Sequence, residues 1–305
     1  MLSFRRAKPR PEPTCSTRDG EHAKRERFHE RNESIRSGGR AMNARMVRVL
    51  GQDLWVSVKP GAKDRPPLLL FNGIGANVEL AEPFMREMGD VETVVFDIPG
   101  VGGSPLPKLP YRPSTVARWA AELMRQLGYD KIDVAGVSWG GGVAQQFAHQ
   151  YPQVCRRLIL AATAPGVIMV PGKLSVLWKM ASPRRYIDPD YLHSIAAEIY
   201  GGNLREDPSL IHAHAENMKG ASNTGYLYQL LAVAGWTSLL WLHSLRQPTL
   251  VVMGHDDPIV PMVNGQILAR LIPNSRLEVM ACGHLFIVTM PRETAKLFQR
   301  FVAEA

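Results

Sequence analysis

Short, continuous apolar runs alternate along the chain with longer stretches that carry an apolar residue every third or fourth position, a rhythm that predicts strands interleaved with helices. The runs Val47–Leu50, Leu54–Val58, Leu68–Phe71, Thr93–Phe96, Ile132–Val137, Arg157–Ala162, Thr249–Met253 and Arg276–Met280 are read as eight strands. Helical periodicity occupies Glu79–Met88, Ser114–Leu127, Gly142–Ala148, Val263–Leu271 and Pro291–Val302, with Ser114 placed to cap its helix and Gly128 to end it. Strands that are apolar throughout, not alternating, belong to a sheet covered on both faces, and such sheets are mostly parallel.

Between Pro165 and Leu245 the alternation stops. Helix-like stretches rich in Met, Trp, Leu and Tyr take its place at Val167–Val170, Leu174–Met180, Tyr191–Tyr200 and Tyr226–Trp241. The pattern predicts an inserted helical cap over 165–245, dividing the α/β core into residues 46–164 and 246–305. Most of the cap's large apolar side chains should fill its own interior. Met169, Trp178 and Trp236 are the candidates for lining a substrate pocket. Residues 1–45, with Pro9, Pro11 and Pro13 followed by charges of both signs, contain too few apolar side chains to bury and are read as a disordered basic extension.

Charge changes the picture only at that extension. The chain of 305 residues carries a formal net charge of +8, but residues 1–48 hold 13 Lys+Arg against 6 Asp+Glu, which leaves the body near neutrality. No basic stripe in the body supports nucleic-acid binding. No apolar run approaches the 18 or so residues of a membrane span, and no apolar h-region follows Arg5-Arg6, so a cytoplasmic protein is expected. Cys15, Cys155 and Cys282 fit neither a disulfide framework nor a metal site.

Candidate chemistry converges on strand ends. Ile132–Val137 runs into Gly136-Val137-Ser138-Trp139-Gly140 and continues as a helix, the strand–turn–helix setting in which G-x-S-x-G forms a nucleophile elbow. A serine hydroxyl is a weak nucleophile near neutral pH, so it needs a base, a carboxylate to orient that base, and donors for the developing oxyanion. His284, in the loop after the last strand, is the expected base. Asp257, in Gly254-His255-Asp256-Asp257-Pro258-Ile259-Val260-Pro261, is the expected acid. Its neighbour Asp256 is the rival, and loops of the form G-x-x-D-x-x-V-P favour Asp257. The backbone N–H groups of Ile74, in the loop Asn72–Asn77, and of Trp139 are expected to form the oxyanion hole. The order Ser, Asp, His is that of the α/β-hydrolases.

Other motifs fall away. The Asn72–Asn77 loop lacks the spacing of a dinucleotide site, and Gly166–Leu174 has one residue too many for a P-loop and Leu where Ser or Thr must hold magnesium. His212 and His214 are two apart and point to different sides of a helix, while His149 needs no role beyond its helix end. No metal signature and no cofactor motif is present.

Together, Phe71–Asn77, Phe96–Ser104, Gly136–Gly141 with Gln145–His149, and Leu160–Ala164 resemble intracellular medium-chain-length poly(3-hydroxyalkanoate) depolymerases. Within the cap, Val170–Lys173, Met180–Tyr186, Ile199–Gly202 and Gly235–Ser238 resemble that family specifically. The likeness runs from Val47 to Val302, and the basic extension departs from it. It implies an α/β-hydrolase fold and hydrolysis of a storage polyester to 3-hydroxyacids at the surface of intracellular granules. From the residues alone, a general esterase, lipase or lactonase, a C–C bond hydrolase, and a granule-binding scaffold without activity remain open. Oligomeric state is not legible. Deleting residues 1–41 is expected to leave ester hydrolysis and cooperative unfolding unchanged; a truncated chain that failed to fold would contradict the reading of the extension.

Overall fold

The inner strands gather into one sheet because they bury apolar side chains on both faces. In the computed structural model of the chain, residues 42–186, 188–207, 209–216 and 222–304 are described. Strands β1 (Asn43–Val49), β2 (Gln52–Lys59), β3 (Leu68–Phe71), β4 (Thr93–Phe96), β5 (Ile132–Val137), β6 (Cys155–Ala161), β7 (Thr249–Gly254) and β8 (Ser275–Met280) hydrogen-bond in the order β1-β2-β4-β3-β5-β6-β7-β8. β1 and β2 form an antiparallel hairpin, β2 is antiparallel to β4, and the remaining pairings are parallel. The eight-stranded, mostly parallel α/β sheet is the architecture the apolar runs predicted.

Helices α1 (Val78–Glu87), α2 (Pro113–Gln126) and α3 (Trp139–Gln150) cross between strands of the first half. Between β6 and β7 come α4 (Leu174–Ala181), α5 (Pro189–Tyr200), α6 (Asn203–Glu206), α7 (Leu210–Glu216) and α8 (Asn223–Val233), and the chain ends with α9 (Met262–Leu271), α10 (Phe286–Thr289) and α11 (Pro291–Ala303). The two-residue period of the strands sorts side chains between the sheet's faces. Leu69 and Phe71 of β3 join Val134, Leu158 and Val251 beneath Val116 and Leu123 of α2 and Val143 and Phe147 of α3. Leu68 and Leu70 join Val95, Ile159 and Val252 on the other face, against Phe84 of α1 and Phe298 of α11. Leu192, Ile195, Ile199, Leu204 and Tyr226 of the inserted helices belong to the same continuous cluster as the first face. The insertion therefore shares the core of the sheet layer instead of closing a separate one.

Four expectations about element boundaries are corrected. β1 starts at Asn43, inside the stretch assigned to the extension, because an edge strand pairs through its backbone whatever its side chains. Asn43 faces Val58 although most of β1 is exposed. The rest of residues 1–45, up to Ala41, lies outside the described residues. Val167–Val170 is not helical. Gly166, at φ 104°, forms an isolated bridge to Thr237, and the stretch after it bends, with Val167, Ile168 and Val170 exposed. The helix expected over Tyr226–Trp241 stops at Val233, before the turn at Gly235. At α2 the first helical residue is Pro113, one before the expected cap Ser114, since a proline lacks only the N–H that the first turn leaves unpaired.

One ion pair ties the sheet floor to the C-terminal helix. Asp133 of β5, wholly buried, accepts two hydrogen bonds from Arg156 at 2.9 and 2.6 Å, and Arg156 also donates to the Val302 carbonyl at 2.7 Å. Burial raises the Asp133 carboxyl to about 6, and Arg156 opposes that rise. A carboxyl whose folded-state pKa lies above its unfolded value binds more protons folded than unfolded, so it lowers stability as pH climbs from about 4 to about 6. Arg156→Met is expected to lower unfolding free energy by about 3 kcal/mol at pH 8, where it leaves a buried carboxylate unpaired, and by less at pH 5. Urea denaturation at the two pH values checks this; equal losses would contradict it.

Candidate active site

The turn from β5 into α3 places Ser138 at φ 55° and ψ −118°, a conformation that L-residues rarely adopt. Two glycines make it possible. A Cβ on Gly136 would run into the Gly140 carbonyl, and one on Gly140 would run into the Phe71 and Asn72 carbonyls. The start of α3 is thereby pressed against the end of β3. Ser138 is fixed by its own N–H donating to the Ala161 carbonyl (2.9 Å) and by its carbonyl accepting from the Gly141 N–H (2.9 Å) and the Thr163 hydroxyl (2.7 Å). Its side chain remains partly exposed.

The same packing brings the loop after β3 to the serine. The position a Cβ would take on Gly73 lies 3.7 Å from the Ser138 Cβ. The Asn72 side-chain amide donates to the Asn77 carbonyl at 3.0 Å, closing the loop on itself. Ile74 is half-buried within it, and Gly75 turns at φ 70°. Trp139 supplies the first amide of α3, where a helix has N–H groups without intrahelical acceptors and the positive end of its dipole.

Beyond β7 and β8 the remaining candidates meet directly. His284 Nδ1 and Asp257 Oδ2 are 2.7 Å apart, and the two side chains are 4% and 0% exposed. Asp257 Oδ1 accepts from the backbone N–H groups of Ile259 and Val260, each at 2.9 Å. Those bonds orient the carboxylate so that its second oxygen faces the imidazole. With Nδ1 as donor, Nε2 is the ring's acceptor. β5, β7 and β8 are linked through parallel pairings, so Ser138, Asp257 and His284 all follow carboxyl ends at one edge of the sheet. Ser138 and His284 are not hydrogen-bonded to each other in this structure; such bonds commonly tighten only when substrate is bound.

Asp256, the rival acid, points elsewhere. Its Oδ2 accepts from the Gly202 N–H at 2.8 Å and pairs with Arg205 at 2.7 Å. The turn between α5 and α6 is thus clamped to the acid loop. It also holds the base loop, where the His284 N–H donates to the Tyr200 carbonyl at 2.7 Å. The contact is close enough to require glycine on both sides, since a Cβ on Gly202 would strike the Gly283 amide and one on Gly283 the Tyr200 carbonyl. A cavity of about 470 Å³ adjoins this clamp, lined by Arg205, Glu206, His255, Asp256 and Cys282, among others. None of Ser138, Asp257 and His284 lines it.

The cap candidates are dispersed. Met169 is half-buried against the core. Trp178 on α4 is 78% exposed and so encloses no pocket. Trp236 lies over α3 beside Gly142 and donates its indole N–H to Gln146 at 2.9 Å, which makes it a cap-to-core anchor in this structure. Gln229 of α8 was not singled out in the sequence, yet its side chain accepts from the Gly75 N–H (2.7 Å) and its carbonyl accepts from the Trp139 indole N–H (2.8 Å). Contacts 90 and 154 residues apart along the chain leave no local pattern by which sequence could find them. Among the described residues, no group of three or more His, Cys, Asp or Glu side chains is placed to hold a metal, and no helix is long and apolar enough to cross a membrane.

Residues 66–291 match the model of the alpha/beta hydrolase fold family, and the chain belongs to that family. Within it, the chain is 48% identical over 261 residues to the poly(3-hydroxyalkanoate) depolymerase of Ectopseudomonas oleovorans, covering 85% of this chain and 92% of that one. It is 26% identical over 235 residues to 3-oxoadipate enol-lactonase 2 of Acinetobacter baylyi, 76% of this chain and 86% of that one. Among solved structures, the enol-lactonase of Burkholderia xenovorans superposes with a TM-score of 0.73 over 85% of this chain and all of that one at 18% identity, a likeness of fold.

The two adjacent aspartates are expected to separate by kinetics. Asp257→Asn should lower kcat on a p-nitrophenyl ester by about 10³- to 10⁴-fold, the scale on which losing the imidazole's orienting carboxylate acts. Asp256→Asn should lower it by only a few fold; the reverse ranking would assign the acid to Asp256.

Proposed function

We propose that this chain is a serine ester hydrolase that cleaves poly(3-hydroxyalkanoate) carrying medium-length side chains and releases 3-hydroxyacids. The observation that carries the reading is the buried His284–Asp257 bond at the sheet edge where the Ser138 elbow opens. The 48% identity to a poly(3-hydroxyalkanoate) depolymerase directs it to the polyester.

In this reading His284 Nε2 takes the Ser138 proton as Oγ attacks the ester carbonyl. The Ile74 and Trp139 N–H groups receive the oxyanion, each contributing about 3 kcal/mol to lowering the barrier. Asp257 holds the imidazolium. The C–O bond to the leaving chain then breaks, His284 returns the proton to the departing alkoxide, and the acyl group stays on Ser138. Water, deprotonated by the same histidine, attacks the acyl-enzyme, frees the acid and restores the serine. No cofactor enters.

An insoluble, alkyl-bearing polymer calls for apolar protein surface beside the site. Val167, Ile168, Val170, Leu174 and Trp178 are exposed along one stretch of the cap. Val170 is tied to Asn264 by two backbone-to-side-chain bonds of 2.9 Å, close behind the Asp257 loop. We assign this strip, Trp178 above all, to contact with the polymer at the surface of a cytoplasmic granule, Met169 to the adjoining wall, and Trp236 to holding that wall on α3.

Purified protein should release 3-hydroxyacids from a polyester of medium side chains faster than from one of short side chains, and Ser138→Ala should abolish both. It should also cleave p-nitrophenyl octanoate at least about tenfold more efficiently than the acetate, since each buried methylene adds roughly 0.8 kcal/mol of binding. A preference for the acetate, or for small lactones over polyester, would contradict the assignment.

A further inference from the structure

Gln229 is wholly buried at the point where the inserted helices meet both halves of the oxyanion site. Its Oε1 takes the Gly75 N–H of one loop, and its backbone carbonyl takes the indole N–H of Trp139, the residue that follows the nucleophile. A backbone N–H can only donate, so the atom facing Gly75 is the amide oxygen and the remaining heteroatom is the NH₂ group. That nitrogen, Nε2, is buried and has no hydrogen-bond acceptor in the protein. A buried donor without a partner costs about 1–3 kcal/mol. Methionine would fill the same volume without that cost. The donor therefore stands unpaired on a side chain whose oxygen holds the N–H of Gly75, the residue after Ile74.

We infer that Gln229 is a specificity-determining residue whose Nε2 donates to an oxygen on carbon 3 of the acyl chain. The inference rests on the reading under Proposed function. There the scissile carbonyl lies against the Ile74 and Trp139 amides, one residue from Gly75 and at Trp139 itself, the two residues that Gln229 bonds. Carbon 3 is two bonds from that carbonyl, so an oxygen on it comes alongside α8. A 3-hydroxyacyl group always brings this oxygen, and a plain alkanoyl group of equal length does not. Pairing with it removes the penalty of the buried donor only for the oxygenated chain. Gln229 thus discriminates between two acyl groups that an apolar pocket alone would bind equally.

The test compares p-nitrophenyl 3-hydroxyoctanoate with p-nitrophenyl octanoate, which differ in that oxygen. Gln229→Met removes the bond to Gly75 for both substrates but the donor only for the first. The ratio of their kcat/KM values is expected to fall about tenfold relative to the unsubstituted protein. A ratio that stays constant while both rates fall would mean that Gln229 only positions the Gly75 loop, and would overturn the inference. If Gln229→Met does not unfold cooperatively, Gln229→Glu assayed at pH 8 on p-nitrophenyl 3-methoxyoctanoate, whose carbon-3 oxygen can only accept, against p-nitrophenyl octanoate keeps an acceptor for the Gly75 N–H and removes the donor, with the same fall in ratio expected and a constant ratio again contradictory. Failure of the unsubstituted protein to cleave either ester would instead refute the ester-hydrolase reading itself.

Discussion

A serine side chain cannot stand clear of a parallel sheet unless the backbone beneath it turns within one residue, and that turn forces Ser138 into a left-handed conformation at φ 55°. Holding a non-glycine residue there costs on the order of 1–3 kcal/mol. It persists because the surroundings over-determine it. Bonds from Ala161, Gly141 and Thr163 pin both sides of the Ser138 peptide, and the absence of Cβ atoms on Gly136 and Gly140 lets α3 start against the end of β3. The same close approach sets Gly73 beside the serine. The Ser138 turn and the Asn72–Asn77 loop are thus one packing arrangement, and neither position can be changed without disturbing the other.

The inserted helices complete that arrangement from above. On the nucleophile side Gln229 spans Gly75 and Trp139; on the base side Tyr200, Gly202 and Arg205 grip the loops that carry His284 and Asp257. α8 and the α5–α6 turn belong to one apolar cluster with the sheet face below. Displacement of the cap would therefore be felt at both halves of the site. Leu174 and Trp178 on α4 lie outside that cluster, at 72% and 78% exposure.

The sheet was legible because its inner strands are mostly apolar, and seven of the runs coincide with strands to within about two residues. β1 was the exception, since an exposed edge strand needs no apolar side chains to pair. The positions of the loops that carry Ser138, Asp257 and His284 were legible because each loop directly follows a strand, and chain order narrows the choice of candidates. Asp256 and Asp257 could be told apart only once their oxygens were seen to face Gly202 and His284 respectively. In the cap, composition marked apolar residues without telling which face they take. Trp178 therefore turned out exposed, and Trp236 bonded to α3. Gln229 was invisible, because its partners are fixed only by tertiary packing.

The proposed function requires the elbow at Ser138 to work with the His284–Asp257 pair as one acyl-transfer unit. Intact-mass measurement of the protein after reaction with an alkyl phosphonate tests it most directly. One adduct per chain is expected, located on Ser138, absent in Ser138→Ala and formed at least about 10³-fold more slowly in His284→Ala. An adduct on another residue, or labelling of Ser138 at an undiminished rate without His284, would contradict it.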